Sequence, residues 1–139
     1  MKIAIINGPN LNLLGKREPQ IYGNASFDIF FQELQIRFPE IELVYYQSNL
    51  EGELINKIQE YGFEFHGIII NPGGYTHTSV AIGDAIAAIT APVIEVHISN
   101  VAAREEFRKI SHVSAKCKGT ISGLGLKGYE LAVLSLIKN

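Results

Sequence analysis

The stretch GIIINPGGYTHTSVAIGDAI (67–86) decides how this chain folds. Ile68, Ile69 and Ile70 are apolar at consecutive positions, so a strand here is buried on both faces, as in a parallel sheet covered by helices on both sides. Asn-Pro-Gly-Gly (71–74) then breaks the strand, and a helical pattern follows over 78–89. The same alternation extends outward in both directions. Apolar, β-branched runs occur at 2–7, 41–46, 67–71, 92–98 and 119–123. Helical patterns occupy 26–38, 50–62, 78–89, 100–110 and 128–139. In the first of these, Phe27, Phe30, Phe31, Leu34 and Phe38 recur at helical spacing behind Ser26, a suitable N-cap. Such an α/β order predicts a flavodoxin-like, doubly wound, five-stranded parallel sheet with helices on both faces. No linker, repeat or low-complexity segment interrupts it, so 1–139 is read as a single domain.

The bulk numbers narrow the function classes. Of the 139 residues, 47% are hydrophobic and 19% charged, which is a globular balance. Lysines and arginines are scattered and the net charge is -2, so no nucleic-acid partner is expected. No window approaches the about 18 apolar residues of a membrane span, and the first residues, MKIAIINGPN (1–10), lack the features of a signal peptide. The expected location is cytoplasmic, with no membrane partner. The one cysteine, Cys117, has no disulfide partner within the chain, which suits a reducing compartment. Lys116 and Lys118 beside it favour a lowered thiol pKa, but no base or oxyanion partner is near it in sequence, so it is read as non-catalytic.

In open α/β sheets, ligands bind outside the carboxyl ends of the strands. The residues that follow the strands here are NGPNLN (7–12), QSNLEG (47–52), NPGGYTHTS (71–79) and HISN (97–100), all rich in Asn, His and Ser. Asn10 and Asn12 are placed to offer amides to a ligand or a water, and equally to serve as turn residues. His97 stands two residues after Glu95, so in a strand the two share a face, and the carboxylate can fix the imidazole tautomer or favour its charged form. His77 follows another strand end. GLGLKG (123–128) matches a dinucleotide-binding pattern, but only 11 residues follow it. The acidic residue expected about 20 positions on cannot exist, so the motif is read as a tight turn into the last helix. No pair of histidines has zinc-site spacing, His66 and His112 read as solvated or backbone-bonded, and no lysine sits in an apolar strand as an imine former would. Neither metal nor cofactor is expected. One segment is less ordinary: in GKREPQIYG (15–23), Gly15 and Gly23 bracket Arg17, Glu18 and Tyr22, and Pro19 opposes helix between them.

INGPNLNLLGKREPQIYG (6–23), NPGGYTHTSVAIGDAI (71–86) and PVIEVHISNVAAREEFR (92–108) resemble, in order and spacing, the signature blocks of type II 3-dehydroquinate dehydratase. The similarity runs from Met1 to about Tyr129. It implies a cofactor-free hydro-lyase that converts 3-dehydroquinate to 3-dehydroshikimate through an enolate, in the shikimate (aromatic amino acid) or quinate pathway. Carried over residue by residue, the resemblance makes Tyr22 the base, with Arg17 favouring its phenolate, and 15–23 a mobile lid that Glu18 anchors. It makes His97 the general acid with Glu95 in support, and Asn10 the holder of a water at the enolate, with Asn12 beside it. Asn71, His77, Ile98, Ser99 and Arg108 would hold the substrate, partly through backbone groups. Asp84 would reach a neighbouring subunit's site in a homododecamer, a tetramer of trimers. Gly83 stands where the family pattern has arginine, and SHVSAKCKGTISGLGLKGYEL (111–131) also departs from it. The rival readings are a non-catalytic flavodoxin-like module binding a small ligand, and an inactive paralogue.

Overall fold

The computed structural model describes residues 1–16 and 26–137. Five parallel strands, β1 (Lys2–Asn7), β2 (Glu42–Gln47), β3 (Gly67–Asn71), β4 (Val93–His97) and β5 (Gly119–Ser122), lie in the order β2-β1-β3-β4-β5. The α-helices among the described residues are α1 (Phe27–Arg37), α2 (Glu51–Gly62), α3 (Val80–Ala88) and α4 (Lys127–Leu136). This is the flavodoxin-like order that the alternation of runs predicts. Ile68, Ile69 and Ile70 are fully buried, and they alternate between two cores. Ile69 joins Ile3, Ile5 and Val96 against α1 and α4, whereas Ile68 and Ile70 join Ile6 against α2 and α3. Full burial of each such side chain is worth about 1.5–3 kcal/mol, so the two-sided run is a main anchor of the sheet.

Side-chain caps set two of these four helix starts. Ser26 accepts a hydrogen bond from the Ile29 backbone N–H, and Ser79 accepts one from Ile82. Phe27, Phe30, Leu34 and Phe38 are buried, as their spacing requires. GLGLKG is a turn: Gly123 and Gly125 have φ of 88° and 65°, their N–H groups reach the His97 and Ile98 carbonyls, and α4 begins at Lys127.

The expected helix over 100–110 does not form. The segment makes two short 3-10 turns, Val101–Ala103 and Glu106–Lys109, with Arg104 extended between them at φ -101° and ψ -159°. A short helix depends on packing an apolar face, and here Phe107 and Ile110 stay exposed. Arg104 instead donates from Nη1 to Ser99 Oγ at 3.1 Å, which draws the backbone over the end of the sheet.

The switch point lies between β1 and β3, where Asn7 pairs in register with Asn71. The chains separate there at very short range. A β-carbon on Gly8 would stand 2.5 Å from the Pro72 carbonyl oxygen, so only glycine fits. Gly83 is confined in the same way, with the His112 carbonyl oxygen 2.4 Å from a β-carbon position. Beneath the switch point, the buried Tyr129 hydroxyl donates to Asn7 Oδ1 at 2.8 Å and accepts from Asn71 Nδ2 at 3.0 Å. Asn71 Oδ1 in turn accepts from the Gly73 N–H, so α4 helps hold the loop after β3. Tyr129→Phe strands Asn7 Oδ1 and Asn71 Nδ2 in the core and is expected to cost about 1–3 kcal/mol. A urea unfolding curve should show a lowered midpoint at an unchanged slope; an unchanged midpoint would refute the network.

Candidate active site

The loops after β1, β3 and β4 enclose one cleft at the carboxyl edge of the sheet. Asn10, Asn71, His77, His97, Ile98, Ser99 and Arg108 all line it. Arg104 lines it too and was not singled out by the sequence reading. Its only sequence signal is a place four residues before Arg108 in a segment rich in charge.

Each side chain is held by identifiable contacts. Asn10 is the one described non-glycine residue with positive φ, at 71°, and its backbone N–H donates to Asn49 Oδ1. Asparagine tolerates this left-handed conformation better than most residues. His77 Nδ1 lies 2.7 Å from the Ile110 carbonyl oxygen. A carbonyl can only accept, so Nδ1 carries the proton and the neutral ring presents Nε2 as an acceptor. The His77 and His97 rings stack with centroids 6.5 Å apart. Arg108 donates from Nε to Glu105 Oε1 at 3.2 Å and lies over the Phe107 ring. Ser99 Oγ receives Arg104, which leaves the serine hydroxyl hydrogen for a further acceptor.

Glu95 is completely buried behind His97. The i, i+2 spacing places both on one face of β4, and His97 Nε2 meets Glu95 Oε2 at 2.5 Å. Ser114 Oγ meets Oε1 at 2.5 Å, and the Thr76 hydroxyl donates to Oε2. Burial alone pushes the carboxyl pKa up, but the hydrogen bonds and charge of His97, with Ser114 and Thr76, outweigh it and hold Glu95 below its ordinary value. An ionised Glu95 accepts the Nε2–H of His97, so Nδ1 is the nitrogen left for a ligand.

Other candidates sit elsewhere. Asn12 is exposed and lines a neighbouring groove with Tyr45 and Gln47. Asp84 is exposed on α3 and does not line the cleft of its own chain. Arg17, Glu18 and Tyr22, with most of the expected lid, lie outside the described residues. Cys117 corrects an expectation: burial, then the charge of Glu95, push its thiol up to about 12, because Lys116 and Lys118 are exposed and screened. His66 is backbone-bonded as expected, accepting the Lys2 N–H. Among the described residues no helix is long and apolar enough to cross a membrane. Nor does any group of three or more His, Cys, Asp or Glu side chains there stand ready to hold a metal ion.

Two fixed guanidinium groups and a histidine paired to a buried carboxylate suit a small anionic substrate that needs a proton delivered. Comparisons with known proteins point the same way. The model of the family Dehydroquinase class II matches residues 1–137. A 3-dehydroquinate dehydratase of an Exiguobacterium species is 54% identical, across 100% of this chain and 96% of the relative. One of Fusobacterium nucleatum is 55% identical, across 99% and 97%. The crystal structure of a type II dehydroquinase from Butyrivibrio crossotus superposes with a TM-score of 0.94 at 52% identity, covering 98% of this chain and 97% of that one.

Proposed function

The chain belongs to the class II dehydroquinase family, and from that premise we propose that it dehydrates 3-dehydroquinate to 3-dehydroshikimate as a cofactor-free hydro-lyase. The observation that carries the reading is the His97–Glu95 pair opening onto the same cleft as Arg104 and Arg108. Elimination next to a ketone takes a proton from carbon, places charge on the carbonyl oxygen, and expels a hydroxyl that must be protonated. His97 gives that proton and Glu95 keeps the imidazolium favourable. Asn10 holds a water against the enolate oxygen, which supplies a donor where charge develops. Tyr22 is the base, with Arg17 favouring its phenolate, and 15–23 serves as the lid with Glu18 as its anchor. Arg108 takes the substrate carboxylate, and His77, Ser99, Asn71 and the Ile98 backbone take its hydroxyls, with Asn12 in a supporting place.

The reading extends to a homododecamer in which Asp84 reaches a neighbouring subunit's cleft, and to a cytoplasmic place in the shikimate or quinate pathway. A non-catalytic binding module gives the histidine–carboxylate pair no task. Pure protein given 3-dehydroquinate, without metal or nucleotide, should show a steady rise in the ultraviolet absorbance of the conjugated product. EDTA should leave the rate unchanged, and borohydride should trap no substrate. A flat absorbance trace would sink the proposal.

A further inference from the structure

Glu95 has no exposed surface, so water cannot stabilise its charge from outside. Its partners come from separate parts of the chain: Thr76 from the turn after β3, Ser114 from the turn before β5, and His97 from β4 itself. Oε1 has Ser114 Oγ as its hydrogen-bond partner, and Oε2 is shared by His97 and Thr76. An ionised carboxylate only accepts, so the Thr76 and Ser114 hydroxyls must both donate to it. Thr76 has then spent its hydrogen, and the 3.3 Å contact between Thr76 Oγ1 and Ser111 Oγ runs with Ser111 as donor. Ser111 Oγ also accepts the Val113 and Ser114 N–H groups, which fixes the turn that presents Ser114. The Thr76 and Ser114 hydroxyl hydrogens thus point at the anion, and that of Ser111 points at Thr76. A protonated Glu95 would face one of these donors with an O–H of its own.

We propose that Ser114 and Thr76 are positioning residues for the acid: by donating to both oxygens of Glu95 they keep it anionic, so the transferable proton stays on His97. This rests on the reading of His97 as the acid in the dehydration. The other titratable or charged groups around the pair are His77 on the turn after β3, Arg104, Arg108 and Lys109 on the turns after β4, and Cys117 before β5. Burial keeps the Cys117 thiol protonated, and none of these groups is a carboxyl, so the Glu95 signal is read apart from them.

The test compares wild type, Ser114→Ala and Ser114→Thr, by kcat and KM and by NMR titration of the Glu95 side-chain carboxyl without substrate. Ser114→Ala should lower kcat about tenfold at little change in KM, and should move the Glu95 carboxyl titration toward higher pH, because the lost hydrogen bond favours the anion. Ser114→Thr, which keeps the hydroxyl, should restore both. If Ser114→Ala fails to fold, Thr76→Val against Thr76→Ser supplies the same comparison. An unmoved Glu95 titration, or a kcat loss that the hydroxyl-bearing variant does not restore, overturns the proposal. If wild type shows no turnover yet the titration moves, the dehydratase reading falls and the control of Glu95 stands.

Discussion

His97→Ala is expected to lower kcat by about 10²–10⁴-fold, the range for a lost general acid, while the fold persists. The departing hydroxyl then has to leave as hydroxide or draw its proton from solvent, and the reaction stalls at the enolate. The variant should still fold, because Thr76 and Ser114 continue to donate to the buried Glu95 carboxylate after the imidazole is gone. That separates a catalytic loss from a structural one. Thermal unfolding and circular dichroism should stay close to wild type, and KM should change far less than kcat, since Arg104 and Arg108 still line the cleft. Near-normal turnover would remove His97 from the acid role. A collapse in thermal stability would recast the pair as structural.

Tyr22→Phe is expected to cost about 10²–10⁴-fold in kcat, as loss of a general base does. Tyr22 lies outside the described residues, so the expectation stands on chemistry and family resemblance. Among the described residues lining the cleft, the titratable groups are His77, His97, Arg104 and Arg108. A guanidinium makes a poor base, and with His97 proposed as the acid, His77 Nε2 is the rival base. A phenol of ordinary pKa about 10 is mostly protonated at neutral pH and needs a cation such as Arg17 to become basic. Phenylalanine keeps the ring and removes only the oxygen. Turnover should therefore fall by orders of magnitude, with the oligomeric state unchanged by gel filtration. If Tyr22→Phe stays active while His77→Asn does not, the base is His77 and the assignment is wrong.

The residues differ in how legible they were. Glu95 and His97 were paired by a strand period of two, which acts over neighbouring residues and needs no knowledge of the rest of the fold. Ser26 as a cap, the two-faced isoleucine run and the turn role of GLGLKG were readable for the same reason. The 100–110 segment was misread as a helix because its spacing is helical but its apolar side chains find no surface to cover. Arg104 was missed with it, since its place over the cleft depends on the extended backbone that replaces the helix. The thiol of Cys117 was misjudged because two lysines adjacent in sequence are solvent-screened in space, whereas Glu95, distant in sequence, is not.

The sequence by itself determined the parallel α/β architecture, the edge at which a ligand binds, and the histidine–carboxylate pair, because hydrophobic period and strand alternation are local properties of the chain. Only the tertiary structure decided which groups surround the Glu95 carboxylate. Thr76, Ser111 and Ser114 lie 16 to 19 positions from Glu95 in sequence, with no pattern connecting them to it. Thr76 and Ser114 meet it, with Ser111 bracing both, because the crossover after β3 and the turn before β5 end over the same face of β4. The same holds for Tyr129 beneath Asn7 and Asn71. A buried polar group must find its partners in space, wherever the fold brings donors within reach, and sequence distance places no limit on where those donors come from.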